Sequence, residues 1–294
     1  MTGSEHECDY RQAVTGVTGG EFLPNSNIEI IKDPEGRGEF KHALFDFDGT
    51  LSLIRAGWPE VMVPMMVEIL VQVDPDDTRE RIEEVVREFV GDLTGKQTIY
   101  QMIRFAEEIE KRGGKAEDPM VYKQMYLDGL MEMIRDRREA LRSKQVDPRD
   151  MMVPGSLDLV KGLIEKGVQV YLASGTDEPF VKEEADLLGL TPYFGDHVYG
   201  ALDDYKSFSK QMVIDRILRE NRIEGKCLLG FGDGFVEIDN IKCSGGTAIG
   251  VATDEENRSG IPDEWKRKRL IGVGADVIIP DYSQAARLLR YLFP

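Results

Sequence analysis

Two carboxylates near the front of the chain, Asp46 and Asp48, are the residues best suited to do chemistry. They belong to the run Asp-Phe-Asp-Gly-Thr at 46–50, which follows an apolar stretch at 43–45. Alternate residues of an extended strand point to the same face, so both carboxylates start on one side of the chain. One of them can attack a phosphorus atom while the other gives and takes the proton of the leaving group.

Further polar groups are predicted to join these carboxylates at one edge of a sheet, because reactive sites of open parallel sheets lie outside the carboxyl ends of the strands. Ser174-Gly175 and Asp233 directly follow two later apolar runs, and Lys210 opens the helix before the second run. The Ser174 hydroxyl and the Gly175 N–H can hold phosphate oxygens. Such a set suits phosphoryl transfer, where positioning and charge neutralisation supply most of the rate. We expect Mg²⁺ as cofactor, with Asp46 and Asp233 as carboxylate ligands.

The elements that must position these residues alternate between strand and helix over the second half of the chain. Strands are predicted at 43–47, 168–173, 198–202, 227–231, 247–251 and 277–279, with a short extended piece at 27–31. Helices are predicted at 156–166, 179–188, 210–221 and 284–291. This alternation indicates parallel βαβ units and a doubly wound α/β sheet.

A long helical block interrupts the alternation just after the first strand. From about 58 to 150, apolar residues recur at helical spacing, as at Ile99, Met102, Ile103 and Ala106, without a β-rich run. We therefore predict a core formed by 27–54 and 153–294, with an all-helical domain, 55–152, inserted into it. Residues 1–26 are polar and glycine-rich and are expected to form a mobile leader.

Composition and charge exclude several classes of partner. The 294 residues are 41% hydrophobic and 31% charged, as in an ordinary globular protein. A formal net charge of −17 argues against nucleic acid and against an anionic membrane as partners. No run approaches the roughly 18 apolar residues of a membrane-spanning helix, and the first residues do not have the pattern of a signal peptide. Three cysteines are too few for a disulfide framework and favour a reducing cytoplasm.

The motifs together resemble those of the haloacid-dehalogenase-like (HAD) superfamily of hydrolases. The resemblance rests on Asp-x-Asp-Gly-Thr at 46–50, Ser-Gly-Thr at 174–176, Lys210, and Gly-Asp-x-x-x-Glu at 232–237, and it spans roughly residues 42–294. It implies a Rossmann-like parallel-sheet core, a mobile helical cap of the type the family calls C1, dependence on Mg²⁺ and an aspartyl-phosphate intermediate.

The same resemblance implies a role for each motif residue. Asp46 is the nucleophile and a metal ligand. Asp48 is the general acid and base, and its main-chain carbonyl also binds the metal. Ser174 binds phosphate, Lys210 is the lysine of the third motif, and Asp233 is a metal ligand.

Three assignments have alternatives. Glu237 stands where many family members have a second aspartate, so it can bind the metal directly, bind it through a water, or serve as a structural hydrogen-bond acceptor. Arg55, and Lys96 in a break between helices, are the cationic candidates for substrate contact from the insert; the alternative is an ordinary turn with a solvated Lys96. Residues 52–58 lack a continuation common in phosphatases of the family, so the resemblance does not identify the substrate.

The expected function is hydrolysis of a small phosphorylated metabolite, for example a sugar phosphate, by a cytoplasmic Mg²⁺-dependent phosphatase. A phosphomutase of the same superfamily is the alternative enzyme, because it uses the same motifs but protects its phospho-aspartate from water. A non-catalytic binding or regulatory module is the alternative from another class. The sequence indicates neither the substrate nor the oligomeric state.

Overall fold

One sheet organises the molecule. The computed structural model describes residues 19–202 and 204–294. In this part of the chain the strands are β1 Glu21–Phe22, β2 Glu29–Ile30, β3 His42–Phe45, β4 Gln169–Asp177, β5 Val198–Ala201, β6 Leu228–Gly232, β7 Thr247–Val251 and β8 Val277–Ile279. Their order across the sheet is β1-β2-β8-β7-β6-β3-β4-β5. The strands from β8 to β5 run parallel, and the short β2 and β1 extend one edge in antiparallel orientation.

The central strands are apolar on both faces, since helices cover the sheet from both sides. Every residue of β3, β6, β7 and β8 is buried, as is typical of parallel strands between two helical layers. Successive residues of a strand pack on opposite faces of the sheet. Phe45 belongs to the larger hydrophobic cluster, whereas Leu44 belongs to the smaller one. The fold is therefore an α/β sandwich with a Rossmann-like core, as the sequence predicted.

The helices fall into an inserted group and a core group. The inserted helices are α1 Pro59–Val73, α2 Arg79–Asp92, α3 Thr98–Lys111 and α4 Pro119–Arg142. The core helices are α5 Ser156–Glu165, α6 Glu178–Leu187, α7 Thr191–Phe194, α8 Lys210–Asn221, α9 Phe235–Cys243, α10 Glu264–Gly272 and α11 Ala285–Leu292. None of the helices described has the length and apolarity needed to cross a membrane.

The helices α1–α4, which we call the insert, leave and rejoin the core through two connections that lie side by side. The Leu53 N–H donates to the Met151 carbonyl at 2.9 Å, and the Val153 N–H donates to the Leu51 carbonyl at 3.0 Å. The Asp118 side chain caps the start of α4 by accepting from the Met120 N–H at 2.8 Å. The insert is thus attached to the core just after β3, and the first motif, 46–50, lies between β3 and the insert.

Comparison with the sequence predictions shows agreement in the core and several differences. Helix 210–221 and strands 247–251 and 277–279 are confirmed as α8, β7 and β8. The first core strand ends at Phe45 and not at residue 47, because the Phe47 carbonyl accepts the N–H groups of 51 and 52 and turns the chain. The sequence did not predict α7, α9, α10 or β1. In α10 only Leu270 and Ile271 are buried, so the segment has no apolar period to detect.

The predicted leader is partly outside the described residues. Residues 1–18 are not described, and Glu21–Phe22 pair antiparallel with β2. Leu23 packs against the larger hydrophobic cluster. Residues 21–23 therefore belong to the sheet and its core rather than to a free leader.

Candidate active site

Asp46 lies at the end of β3, between two neighbouring strands. Its N–H donates to the Phe231 carbonyl at 2.9 Å, so the ladder between β3 and β6 reaches this residue. The Lys210 ammonium donates to Asp46 Oδ1 at 2.8 Å, and both side chains are buried. Burial raises the pKa of Asp46 above its usual range, although the Lys210 charge acts against it. Asp46 is thus a backbone-fixed carboxylate with a lysine as its direct partner.

Lys210 links Asp46 to a second carboxylate. It is the first residue of α8, whose N-cap Ser209 accepts from the Met212 N–H at 3.1 Å. Its ammonium also contacts the buried Glu237 carboxylate. Glu237 is in the first turn of α9. Lys210 therefore contacts two carboxylates, Asp46 and Glu237.

Asp48 lies in a separate polar cluster on the other side of the site. Its Oδ2 accepts from the Thr176 hydroxyl at 2.8 Å and from the Ser174 hydroxyl at 3.5 Å. Arg55 Nε is 3.9 Å from its other oxygen. Burial raises the pKa of Asp48 to about 7. A carboxyl group that titrates near neutral pH is suited to both give and take a proton.

Asp233 follows β6 and is held by neighbours on two sides. Its N–H donates to the Thr50 hydroxyl at 3.0 Å, which ties it to the turn after Asp48. The Lys266 ammonium lies 2.7 Å from Asp233 Oδ2 and 2.6 Å from Glu255 Oε1. Burial lowers the pKa of Lys266, but the two carboxylates raise it by more, so the lysine stays charged.

The donor set around Asp46 and Asp233 fits Mg²⁺, which usually takes one or two carboxylates together with waters and substrate phosphate. Both carboxylates line one cavity, and the charge of Asp233 contributes to the raised pKa of Asp46. A Cβ at Gly49 would lie 2.2 Å from Asp233 Oδ2, so the turn leaves this oxygen accessible only because residue 49 is glycine. Within residues 19–202 and 204–294 no cluster of three or more acidic, His or Cys side chains has metal-site geometry. The two carboxylates predicted to bind the metal are thus not joined by a third side chain with metal-site geometry in this part of the chain.

A cavity of about 90 Å³ connects these groups. A single water needs roughly 10–15 Å³ by the same measure, so the space accepts a group of the size of a phosphate. The motif residues that line it are Asp46, Asp48, Ser174, Gly175, Lys210 and Asp233. The insert closes it from the other side with Trp58, Thr94, Lys96 and Tyr126, among others.

The insert reaches the site through a loop, residues 94–97, between α2 and α3. Gln97 Nε2 donates to the main-chain carbonyls of Tyr205 and Phe208 at 3.0 and 2.7 Å, which ties the loop to the core. A Cβ at Gly175 would lie 2.6 Å from the Lys96 carbonyl oxygen. Glycine at 175 thus allows direct contact between the loop and the carboxyl-terminal part of β4.

The structure brings the predicted site residues together, with two placements that differ from the roles expected. Arg55 lines the cavity, but its Nε and one Nη each donate to Glu184 at 2.9 Å, so it is largely committed to that buried partner. Glu237 is not in the cavity that Asp233 lines, and its carboxylate faces Lys210 instead. Direct metal binding by Glu237 does not follow from this geometry. Lys96 lines the cavity, as the prediction of substrate contact requires.

Sequence reasoning missed several residues of the site. Thr176 was visible in the Ser-Gly-Thr motif but received no role, although its hydroxyl makes the shorter of the two hydroxyl contacts to Asp48. Glu255 and Lys266 lie in a segment for which no element was predicted. Gln97 makes contacts more than 100 residues away along the chain, and no local pattern indicates them.

Comparison with known proteins identifies the family. A family model described as haloacid dehalogenase-like hydrolase matches residues 40–245, and the chain belongs to this family. The motifs are therefore those of a HAD-type hydrolase. No curated protein is detectably similar to the chain in sequence.

Solved structures share the fold at low sequence identity. A β-phosphoglucomutase from Clostridium difficile has a TM-score of 0.58 at 13% identity, covering 86% of this chain and 97% of its own. A predicted phosphoglycolate phosphatase from Haemophilus somnus has a TM-score of 0.54 at 15% identity, covering 85% and 98%. A predicted phosphatase from Clostridium acetobutylicum has a TM-score of 0.53 at 17% identity, covering 85% and 99%. At such identities the likeness shows the fold alone.

Proposed function

We propose that this protein is a Mg²⁺-dependent phosphatase that hydrolyses a small phosphorylated metabolite, with sugar phosphates as first candidates. The observation that carries the proposal is the convergence of Asp46, Asp48, Ser174, Lys210 and Asp233 on one small cavity. Membership of the HAD-like hydrolases supports the same reaction class.

In the first step an oxygen of Asp46 forms a bond to phosphorus as the bond from phosphorus to the leaving alcohol breaks. Asp48, whose pKa is raised to about 7, gives its proton to the departing oxygen. Lys210, 2.8 Å from Asp46, balances the charge of the nucleophile and of the incoming phosphate. The Ser174 hydroxyl and the Gly175 N–H hold phosphate oxygens in line for the attack.

In the second step Asp48 takes a proton from a water that attacks phosphorus in the aspartyl-phosphate, which releases phosphate and restores the Asp46 carboxylate. Mg²⁺, held by Asp46, Asp233 and the Asp48 main-chain carbonyl, would supply the positive charge that lets a carboxylate approach an anionic phosphate. The insert acts as a cap in this scheme. The Gln97 hydrogen bonds support that role, since they hold its loop over the cavity.

The setting of the reaction belongs to the same proposal. We place the enzyme in the cytoplasm, and the lack of a disulfide between the described cysteines, Cys227 and Cys243, supports a reducing compartment. The net charge of −17 supports a small metabolite as partner and opposes nucleic acid or membrane surfaces.

The proposal is tested by measuring inorganic phosphate released from a panel of phosphorylated metabolites with Mg²⁺ present. We expect many phosphates released per enzyme molecule for at least one substrate, loss of activity after chelation and recovery with Mg²⁺. Ca²⁺ should substitute poorly, because its larger and looser shell does not enforce the geometry of the attack. Undiminished activity after exhaustive chelation would reject the metal role of Asp46 and Asp233.

A phosphomutase is the second candidate, and the fold shared with β-phosphoglucomutases favours considering it. The two reactions differ in one readout. A phosphatase releases phosphate in excess of enzyme without any activator, whereas a mutase interconverts sugar phosphates when a bisphosphate is supplied. Isomerised sugar phosphate without net phosphate release would replace the first proposal by the second.

A further inference from the structure

A large groove opens beside the phosphate-sized cavity. Its volume is about 950 Å³, roughly ten times that of the cavity. Its walls come from the start of α1, the end of α2, α4 and the segment 255–266 of the core. Trp58, Thr94, Asp233 and Glu255 line both spaces, so the groove is continuous with the cavity. A substrate whose phosphate lies at Asp46 can therefore extend its alcohol portion into the groove.

Two indole rings distinguish this groove from the rest of the molecule. Trp58 and Trp265 both line it, and the whole chain has only two tryptophans. Trp265 remains 55% exposed. The Arg269 guanidinium lies 4.6 Å from the centre of its ring. At Gly91 of α2 an added Cβ would lie 3.4 Å from the indole. The ring is thus supported from two sides and still accessible.

Three of the four cationic side chains that line the groove have partners within the protein, and the fourth is the exposed Arg258. Arg87 Nε donates to Glu83 at 2.8 Å, and Arg137 donates to the main-chain carbonyls of Ile54 and Ala56. Lys266 is held by Asp233 and Glu255. These pairings occupy three of the four cationic side chains, and the proposal below rests on the aromatic surfaces of the groove.

We propose that this groove binds a planar heteroaromatic ring on the alcohol portion of the substrate, joined to the phosphate by a short polar spacer, as in a nucleoside 5′-monophosphate. The inference rests on the proposed function and names the substrate class of the same site. Ligand sites are typically concave and rich in aromatic side chains with few polar groups. Stacking of a base on an aromatic side chain changes binding by roughly 10–100-fold when that side chain is truncated to alanine.

The first experiment measures binding without turnover, using the Asp46→Asn variant and tryptophan fluorescence. Both tryptophans of the chain line the groove, and since Trp58 also lines the cavity, ribose 5-phosphate measures the change in emission that the sugar phosphate alone causes. Adenosine 5′-monophosphate and ribose 5-phosphate are a matched pair that differ only in the ring. We expect the nucleotide to change the emission and to bind at least tenfold more tightly than ribose 5-phosphate. Equal affinities, or tight nucleotide binding without a fluorescence change, would overturn the proposal.

The second experiment uses Trp265 variants and compares kcat/KM for the same two phosphates. Trp265→Ala should lower the ratio of nucleotide to ribose 5-phosphate activity by roughly 10–100-fold, and Trp265→Phe should restore most of it by retaining a ring. Met120→Ala, which removes an exposed apolar side chain of α4 outside the groove, is the matched control. Circular dichroism verifies that each variant is folded. An equal loss with both substrates in a folded Trp265→Ala protein would show a structural role only.

The two proposals can fail separately. If Asp46→Asn bound the nucleotide but the wild type released no phosphate, the proposed phosphatase activity would be wrong and the proposed ring-binding groove would stand. If the wild type hydrolysed both phosphates equally well, the proposed ring-binding groove would be wrong and the proposed phosphatase activity would stand.

Discussion

The strand-end cluster, Asp46, Asp48, Ser174 and Asp233, and the outer wall, formed by loop 94–97 and α10, are positioned in different ways. The cluster residues lie within β4 or just beyond the ends of β3 and β6, so parallel ladders of main-chain hydrogen bonds hold the strands that lead to them. The outer wall contacts the rest of the site through individual side chains, Gln97 to two carbonyls and Lys266 to two carboxylates, although α10 itself packs on the sheet through Leu270 and Ile271. The chemistry is therefore built into the sheet, whereas the surface that faces the rest of the substrate depends on a few replaceable contacts. Substitutions in the cluster should abolish turnover, whereas substitutions in the outer wall should lower it by a smaller factor.

The strongest test of the cluster is Asp46→Asn. The amide is nearly isosteric but a poor nucleophile, so turnover should fall on the order of 10⁴–10⁶-fold, as for loss of a covalent nucleophile in other enzymes. Phosphate release measures the loss, and circular dichroism verifies the fold. Asp158→Asn, at an exposed position in the first turn of α5, is the control and should behave as wild type. Activity of Asp46→Asn within about tenfold of wild type would contradict a nucleophilic role.

Asp48→Asn should come next, with a loss of roughly 10²–10⁴-fold on an alkyl phosphate. The loss should be smaller in the bond-breaking step with p-nitrophenyl phosphate, because that leaving group needs little protonation. Pre-steady-state release of p-nitrophenolate separates this step from hydrolysis of the intermediate. An alkyl phosphate turned over at the wild-type rate would remove Asp48 from the mechanism.

Lys266→Met tests the junction between the cluster and the wall. It leaves Asp233 and Glu255 without their shared counter-charge, and because these side chains are partly exposed we expect the loss of two charge-assisted hydrogen bonds to cost about 1.5–3 kcal/mol of unfolding free energy. Urea unfolding in chelator should show a loss of this size. Added Mg²⁺ should stabilise the variant more than the wild type, because in the wild type the ammonium competes with the metal ion for Asp233.

The control for this experiment is Lys268→Met on the same helix, where the lysine side chain is 72% exposed and its ion pair with Glu264 is worth little. It should unfold as the wild type does. If Mg²⁺ stabilised Lys266→Met and the wild type equally, Lys266 and the metal ion would not compete for the same carboxylate.

Gln97→Ala should have the smallest effect, on the wall alone. Two hydrogen bonds at about 1 kcal/mol each amount to roughly a 30-fold loss of kcat/KM for the best substrate of the screen. The loss with p-nitrophenyl phosphate should be smaller, since little of that substrate depends on the loop. Gln124→Ala, which removes only a contact to Asp128 on the same helix, is the control. A uniform loss on both substrates would mean that the loop supports the chemistry itself.

The difference between the strand-end cluster and the outer wall also explains which site residues the sequence could predict. Apolar runs followed by polar motifs locate the ends of parallel strands, so the convergence of Asp46, Ser174 and Asp233 follows from strand pairing alone. Lys266 could not be found this way. Its helix has almost no buried face, and its contact with Asp233 depends on the path of the chain after β7.

The four-residue spacing between Asp233 and Glu237 does not by itself indicate which group the Glu237 carboxylate contacts. Four residues beyond Asp233, Glu237 was expected to bind the metal, directly or through a water, or to serve as a structural hydrogen-bond acceptor. Because α9 begins at Phe235, its side chain is turned toward Lys210, in space left open by Gly232 and Gly234. The motif indicated that an acidic residue is needed here, but not which cation it faces.

The contact between Gly175 and the Lys96 carbonyl limits how far the insert can be treated as an exchangeable module. Any side chain at 175 would push the loop away from the end of β4, even though the residue 175 N–H, which we propose binds phosphate, would remain. Position 175 and the path of loop 94–97 must therefore change together. A graft of helices from another HAD-type hydrolase onto this core would need a loop that leaves the same clearance above residue 175.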